Sequence, residues 1–495
     1  MSESLKNKSI KGVGWSFADN LSNQGVTFLV GLILARLLSP EEYGLIGIIS
    51  IFIALFNSFV DSGFSNALIR KNDVKDVDYH TAFITNVGIS IPLYIVFFLC
   101  SPLISNFFKQ PQLEPLAKVM GFILIINAFG IIQRAQFTKR IDFKTQTKVS
   151  LISSLSSGLI GIILALCGYG VWALVSQQLV RQGLNTFFLW VYGHYRPQMQ
   201  FSKDSFCYLL GFGWKLLCSG LLASLWSELY QVVIGRYYSA SSLGQFTRAK
   251  QFAAIFSQNI NSVVMKVSYP VLSTIQDDDV RLLNGYRKVI KTTMMVSFTC
   301  MLTLFGIAKP MILSLIGAQW TKCIPMLQII CFSMMLYPLN AINLNILKVK
   351  NRTDLFLKLE IIKKFIAIPP IIAGIFIDIY AMLFSSVLAG FVSLYVNAMY
   401  TKLLLNYSVW EQLRDVAPSF FKALAMGGVL YIISLLPINC YCLLFLDIIV
   451  AIVLFFILNE SFKSSEYLEI KSIAGKIISK ICKKNDFVMK SNNKD

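Results

Sequence analysis

Polar and charged side chains recur at helical spacing inside strongly apolar segments of this sequence. Asn57, Asp61 and Ser65 repeat every four residues, a spacing that places them on one face of a helix. Lys215 and Lys266 interrupt two other apolar segments. These groups cannot face lipid, because each charge buried there costs several kcal/mol. They must face other helices or a water-filled cavity, where cations could bind an anionic group and amides could bind polar ligands.

The candidate substrate-binding residues share two properties: each is a cation or an amide, and each lies within or at the end of a segment long enough to cross a membrane. They are Lys215, Lys266, Arg181, Arg248, Asn20, Asn23 and Gln258. Three carboxylates, Asp19, Asp61 and Glu228, could bind a coupling ion or form structural ion pairs. Packing between helices is the competing interpretation for each single residue, since a polar side chain in a membrane helix also binds its neighbours.

The composition fixes the class of protein that positions these groups. Of 495 residues, 55% are hydrophobic and only 14% are charged, against roughly 25% charged in soluble domains. The mean hydropathy is +0.63. Soluble enzymes, fibrous proteins and disordered chains are excluded, and we predict an all-α polytopic membrane protein with roughly fourteen helices of about 20 residues each.

The predicted spans follow the apolar segments of the chain. They are 12–36, 43–68, 80–108, 113–133, 149–169, 170–192, 207–235, 242–269, 291–308, 323–347, 355–378, 380–401, 417–436 and 438–460. With the N-terminus inside, the cytoplasmic segments carry 34 Lys and Arg and the outer connections carry 8. This asymmetry predicts that both termini are cytoplasmic.

An internal repeat predicts the arrangement of the spans. Arg36, Ser39 and Gly44 recur as Arg236, Ser239 and Gly244, each 200 residues later. The copies lie at the ends of spans one and seven, and six intervening spans keep their orientation. We therefore expect two lobes related by an axis along the membrane normal. The predicted domains are an N-terminal lobe at 1–192, a cytoplasmic linker at 193–206, a C-terminal lobe at 207–401, two further spans at 402–460 and a basic cytoplasmic tail at 461–495.

Several patterns typical of other functions are absent or weak. The ten cysteines form no C-x-x-C pair, and two histidines make a histidine-based metal site unexpected. No G-x-x-x-x-G-K-[ST] segment is present, so no P-loop is predicted. The Asp277–Asp279 run is interpreted as a solvated turn. We expect no catalytic residues, no metal, no cofactor and no nucleic-acid partner.

Six segments together resemble one protein family. They are ARLLSPEEYG (35–44), FVDSGFSNALIRK (59–71), RAQFTKRIDFK (134–144), GYGVWALVSQQLV (168–180), YYSASSLGQFTRAKQF (237–252) and SQNINSVVMKVSYPVLS (257–273). The sequence resembles the Wzx/WzxC-type polysaccharide exporters of the multidrug/oligosaccharidyl-lipid/polysaccharide superfamily. The match covers roughly the first 275 residues well and the remainder only by its pattern of spans.

The resemblance implies two six-helix lobes, two extra spans and the flipping of undecaprenyl-diphosphate-linked oligosaccharides across a bacterial plasma membrane for surface polysaccharide synthesis. In that case Lys215, Lys266, Arg181 and Arg248 would attract the diphosphate, and the amides would meet sugar hydroxyls. The implied partners are the lipid-linked substrate, the bilayer and a polysaccharide polymerase with its assembly machinery.

Three alternatives stay open on the sequence. A drug or small-molecule exporter of the same superfamily would share the spans. A membrane polymerase or ligase would need a larger outer loop than the dozen or so residues found here. A structural membrane scaffold would not need polar stripes within its spans.

Overall fold

A computed structural model describes residues 22–61, 63–193, 195–461, 466–468 and 471, and the regular structure in this part of the chain is helical. In chain order the helices are α1 (22–37), α2 (Pro40–Asp61), α3 (Phe64–Arg70), α4 (Asp76–Phe108), α5 (Leu113–Met120), α6 (Phe122–Lys139), α7 (Phe143–Leu166), α8 (Val171–Tyr192), α9 (Lys203–Tyr237), α10 (Ala240–Ser273), α11 (Asp279–Gly306), α12 (Ala308–Leu315), α13 (Cys323–Met335), α14 (Tyr337–Val349), α15 (Thr353–Ile366), α16 (Ile368–Phe376), α17 (Ile379–Leu405), α18 (Val409–Ile433) and α19 (Cys440–Ser461). A 3-10 turn, Ala318–Trp320, follows α12.

Ten helical segments of the described residues are long and apolar enough to cross a membrane. The other four predicted spans correspond to α1, α8, α10 and the α15–α16 pair. These helices are more polar or are described only in part; α10, for example, carries Arg248, Lys250 and Lys266. The all-helical polytopic class is confirmed, and the count of fourteen is consistent with these helices without being confirmed by them.

Helix ends differ from the predicted ends where a helix continues past its apolar segment. The fourth predicted span ends at residue 133, whereas α6 continues to Lys139. Hydropathy marks the apolar part of a helix, but backbone hydrogen bonds continue through the polar turns that follow. Arg134, one residue beyond the end of the fourth predicted span, therefore lies on a helix.

The chain divides into two compact units. The first comprises residues up to Arg248 together with Leu315–Trp320, and the second comprises Ala249–Ser314 and the chain from Thr321 onward. The division falls within α10. The two lobes predicted at 1–192 and 207–401, related by an axis along the membrane normal, stay a prediction.

In the first unit, α2 packs on α9, α6 packs on both α4 and α8, and α7 packs on α8. The approach of α3 to α9 depends on Gly63, whose φ is +71°. A Cβ atom at Gly63 would stand 2.8 Å from the carbonyl oxygen of Gly213. Glycine is required here because a larger residue would meet both a strained backbone and a close contact.

The connection that leads into α9 is anchored on α4. The Tyr195 hydroxyl lies 2.9 Å from Nδ1 of His80, and the backbone N–H of Ser202 donates to Oγ1 of Thr81 at 3.1 Å. Burial, and secondarily the charge of Asp76, raises the pKa of the Tyr195 hydroxyl. Tyr195 therefore stays protonated and can donate to the imidazole. These bonds fix where α9 begins.

In the second unit, α11 packs on α18, and α17 packs on α13, α14 and α16. Asn343 lies at the centre of a buried polar cluster between these helices. It accepts hydrogen bonds from the hydroxyls of Tyr286 at 2.5 Å and Thr401 at 3.0 Å. Its Nδ2 donates to Oε1 of Gln412 at 3.0 Å. Buried amides that are paired in this way hold helices together in one register.

A charged cluster lies at one end of the same helices. Arg287 of α11 binds Asp415 of α18 through two nitrogens, Nε at 2.8 Å and Nη2 at 3.0 Å. Lys291 lies 3.3 Å from the same carboxylate, and the Tyr407 hydroxyl donates to it at 2.7 Å. Asp415 is only 10% exposed, so this carboxylate depends on its partners.

Candidate functional site

A polar cavity of about 500 Å³ lies within the first unit. Helices α2, α3 and α6 supply its hydrophilic wall, and α9 supplies Leu216, Leu217 and Gly220. The polar lining residues are Asn57, Ser58, Asp61, Ser65, Asn66, Asn127, Arg134 and Thr138. We call it the amide cavity, since three of these residues are asparagines.

A chain of side-chain amides holds the wall of the amide cavity in place. Gln182 of α8 donates to Oδ1 of Asn127 at 2.8 Å. Asn127 of α6 in turn donates to Oδ1 of Asn57 on α2 at 2.9 Å. Each amide is both a donor and an acceptor, so the chain fixes the orientation of the Asn127 and Asn57 groups. The cavity therefore presents oriented amides rather than freely rotating ones.

Arg134 is the one cation among the residues that line the amide cavity. Its Nη2 donates to Oδ1 of Asn185 at 3.2 Å. A guanidinium has five N–H donors, and the others have no hydrogen-bond partner among the described residues. The residue is exposed to the cavity. Arg134 can therefore offer two parallel donors to a phosphate or carboxylate group.

Asp61 brings a negative charge to the same wall. Its Oδ1 accepts a hydrogen bond from the Ser65 hydroxyl at 2.6 Å, and the carboxylate lies within electrostatic range of Arg134. All three residues of the predicted stripe, Asn57, Asp61 and Ser65, line this cavity. An anion bound at Arg134 would compete with Asp61 for the guanidinium.

The structure brings two candidate residues together away from the amide cavity. Arg181 Nη2 donates to Oδ1 of Asn23 at 3.2 Å. The same oxygen accepts a hydrogen bond from the Ser154 hydroxyl at 2.6 Å. Neither Arg181 nor Asn23 is among the lining residues of this cavity. Their contacts join α1, α7 and α8, which is the arrangement expected for packing between helices.

Arg248 is also held by packing contacts. It is only 6% exposed, its Nη2 donates to the carbonyl oxygen of Gly31 at 2.9 Å, and its guanidinium stacks 4.1 Å from the centre of the Tyr43 ring. Trp320 donates to the carbonyl oxygen of Ala35 at 2.7 Å nearby. These contacts hold the Arg248 side chain of α10 against the end of α1.

The remaining candidates lie at different places. Lys215 is exposed on α9 in the first unit, and Lys266 and Gln258 are exposed on α10 in the second unit. Glu228 accepts hydrogen bonds from Ser227 at 3.2 Å and from Gln231. Asn20 and Asp19 lie outside the described residues. Within the described residues, His, Cys, Asp and Glu side chains form no group of three suited to a metal ion.

Sequence reasoning missed the contribution of α6. Asn127, Ile131, Arg134 and Thr138 all line the amide cavity, and they are spaced 4, 3 and 4 residues apart. This spacing is the signature of one helical face, so the pattern was present in the sequence. It went unrecognised because the predicted span ends at residue 133.

A family model described as "Polysaccharide biosynthesis protein" matches residues 33–325, which is more than half of the chain. The chain belongs to this family.

Curated relatives of this chain carry related names. It is 26% identical over 377 residues to the "Lipopolysaccharide biosynthesis protein WzxC" of Escherichia coli strain K12, covering 75% of this chain and 76% of that one. It is 26% identical over 323 residues to the "Succinoglycan biosynthesis transport protein ExoT" of Rhizobium meliloti strain 1021, covering 65% of each chain. It is 24% identical over 298 residues to the "Teichuronic acid biosynthesis protein TuaB" of Bacillus subtilis strain 168, covering 60% of this chain and 62% of that one.

Solved structures share its fold. The "Lipid II flippase MurJ, inward closed conformation" superposes with a TM-score of 0.71 at 15% identity, covering 92% of this chain and all of the other. An inward-facing multidrug resistance MATE family transporter superposes with a TM-score of 0.60 at 16% identity, covering 78% and 96% of the two chains. The resemblance drawn from the six sequence segments is confirmed, and the chain is a multi-pass membrane protein of the polysaccharide biosynthesis family.

Proposed function

We propose that this protein flips undecaprenyl-diphosphate-linked oligosaccharide repeat units from the cytoplasmic to the outer leaflet of a bacterial plasma membrane. The step supplies repeat units for a surface polysaccharide such as an O-antigen, a capsule or an exopolysaccharide. The family match and the relatives named for polysaccharide synthesis and transport support this proposal. The observation that carries it is the amide cavity with a single arginine.

The amide cavity fits the polar part of such a substrate. Sugar hydroxyls both donate and accept hydrogen bonds, and so do the oriented amides of Asn57 and Asn127. A diphosphate is the part common to all lipid-linked glycans. The paired N–H groups of the planar Arg134 guanidinium match its oxygen atoms. The isoprenoid tail can remain in lipid while the headgroup crosses. A cavity that opens to one side at a time would keep the headgroup solvated or paired throughout.

Ion coupling through Asp61 is part of the proposal. A diphosphate that engages Arg134 would draw the guanidinium away from Asp61, and the carboxylate could then take up a proton or a sodium ion. Glu228, which is bonded to neighbours on its own helix, fits a structural role better. We further propose that both termini are cytoplasmic, that the protein is not an enzyme and that a polysaccharide polymerase receives its product.

The experiment combines a deletion strain with two matched variants. Without the protein, lipid-linked repeat units should accumulate in the cytoplasmic leaflet, and the wild-type chain should clear them. Arg134→Gln should fail to clear them at normal protein level. Arg140→Gln removes an exposed cation six residues further along that does not line the cavity, and it should behave as wild type. A deletion strain with no accumulation would refute the flippase and favour the drug or small-molecule exporter.

A further inference from the structure

A second cavity adjoins the amide cavity along α3 and α9. Its volume is about 650 Å³, and its lining residues are Arg70, Lys71, Asn72, Asp73, Cys207, Tyr208, Gly211 and Phe212. We call it the loading cavity. Ile69 lines the amide cavity and the next residue, Arg70, lines the loading cavity. On α9, Phe212 and Leu216 line the two cavities one helical turn apart, so the cavities are neighbours.

The carboxylates around the loading cavity are already matched by lysines. Lys71 Nζ forms an ion pair with Asp78 at 2.7 Å. Lys139 lies within electrostatic range of Asp73 and Asp78, and its Nζ also donates to the carbonyl oxygen of Leu68 at 3.0 Å. Asp73 and Asp78 therefore each have a lysine neighbour. Arg70 is the additional cation.

Arg70 is placed to receive an anion. Its guanidinium lies 4.7 Å from the centre of the Phe212 ring, and it is exposed. It forms no hydrogen bond or ion pair with the residues that the structure describes. A guanidinium that rests on a ring keeps its N–H edge free, and that edge matches phosphate oxygens in a bidentate fashion. Lys71 lies 4.9 Å from the Tyr208 ring, so rings flank both cations.

Lys215 is a further cation on α9, beyond the residues that line the loading cavity. It follows Gly211 by four residues and Phe212 by three, which places it on the face that lines the loading cavity, one turn further along. Lys215 is exposed and has no partner among the described residues. From Phe212 to Gly220 of the amide cavity, the helix rises about 12 Å.

We propose that the loading cavity binds the diphosphate of the lipid-linked substrate at the cytoplasmic surface, before the headgroup enters the amide cavity. This inference rests on the proposed flippase function. Arg70 binds the diphosphate first, Lys215 continues the path, and Arg134 holds the diphosphate in the amide cavity. The volume accommodates a diphosphate with its first sugar, since ligand cavities of this kind span roughly 300–1,000 Å³. The α9 end that carries the cavity is the end predicted to be cytoplasmic.

Cys207 provides a reporter within the native chain. It lines the loading cavity and is exposed. Cys167, at the end of α7, is also exposed but lines neither cavity. The full-length protein is reconstituted in phosphatidylcholine vesicles and treated with a maleimide, and the labelling of each cysteine is measured by peptide mass spectrometry. The added ligands are inorganic pyrophosphate, undecaprenyl diphosphate and, separately, vesicles that contain phosphatidylglycerol.

We expect undecaprenyl diphosphate, and more weakly pyrophosphate, to slow the labelling of Cys207 about ten-fold while Cys167 is unchanged. Arg70→Gln should raise the ligand concentration needed for half-maximal protection at least ten-fold, because a charge-assisted hydrogen bond is lost. Arg70→Lys keeps the positive charge but lacks the paired N–H donors of a guanidinium, so Cys207 should be protected to an intermediate degree in this variant. Arg140→Gln should protect as wild type does. Unchanged thermal stability of the Arg70 variants would show that they fold.

Three results would overturn the loading cavity: no protection of Cys207, equal protection by phosphatidylglycerol, or full protection in Arg70→Gln. The second would identify a site for bilayer headgroups instead. Each is distinguishable from failure of the flippase itself. If the deletion strain accumulates lipid-linked units and Arg134→Gln fails to clear them, the proposed function stands although the loading cavity falls.

Discussion

Gly44 and Gly244 lie against each other at the first turns of α2 and α10. A Cβ atom on Gly44 would stand 1.8 Å from the carbonyl oxygen of Ala240, and one on Gly244 would stand 1.8 Å from the carbonyl oxygen of Pro40. The contact is reciprocal, because each copy of the 200-residue repeat presents its glycine to the backbone of the other copy. The repeated serines have matching roles as well, since Ser39 and Ser239 each accept from the backbone N–H three residues later.

Gly44→Ala and Gly244→Ala should each destabilise the protein. Neither methyl group fits without separating the two helices, and overpacking of this kind costs about 1–3 kcal/mol. Thermal unfolding of the purified protein should show a lower midpoint for both variants. Gly88→Ala is the matched control, since nothing lies within 4 Å of a Cβ atom there and alanine favours a helix. Equal midpoints for all three variants would contradict the close contact.

The Asp415 cluster should matter for stability rather than for substrate recognition. Asp415→Asn removes the carboxylate that pairs with both Arg287 and Lys291, and losing a charged hydrogen-bond partner of this kind costs about 1–3 kcal/mol. We expect a lower unfolding midpoint and less protein in the membrane. Asp354→Asn removes an exposed carboxylate that pairs with Arg352 and should leave the midpoint unchanged. A stable Asp415→Asn variant would mean that the cluster is dispensable for folding.

Lys215 and Lys266 are exposed on α9 and α10 and stay candidates for the diphosphate anchor. Changing both to Gln should lower glycan export while protein level and unfolding midpoint remain normal, because export loses two cations that could neutralise the diphosphate. The single variants should show intermediate losses. Surface glycan per cell is the measurement. Full export by the double variant would eliminate these two residues without touching the flippase proposal.

The topology makes a separate prediction. A reporter fused after Ser465 should behave as cytoplasmic, because 34 Lys and Arg fall on one side of the predicted spans and 8 on the other. Paired fusions of alkaline phosphatase and green fluorescent protein give opposite signals on the two sides of the membrane. Phosphatase activity at this position would contradict the cytoplasmic C-terminus and, if the N-terminus is cytoplasmic, an even number of spans as well.

The amino-acid sequence alone is enough to assign the class of this protein and much of its organisation. Apolar segments of about 20 residues form membrane helices, because in lipid the backbone N–H and C=O groups of such a segment must hydrogen-bond to one another. The spacing of Asn57, Asp61 and Ser65 likewise fixed a common face, and all three line the amide cavity. The repeat of Gly44 at Gly244 identified two positions that the fold places in contact.

Which polar face meets a cavity and which meets another helix depends on the folded arrangement of the helices. Periodicity shows that two side chains share a face, but it does not reveal the neighbour opposite. Arg181 and Arg248 are cations in or beside apolar segments, yet they bind Asn23 and Gly31 from distant parts of the chain. Arg134 lies just beyond the apolar segment of α6, and it lines the amide cavity instead. The partner of each charge is set by contacts between residues far apart in sequence, and those contacts exist only in the folded chain.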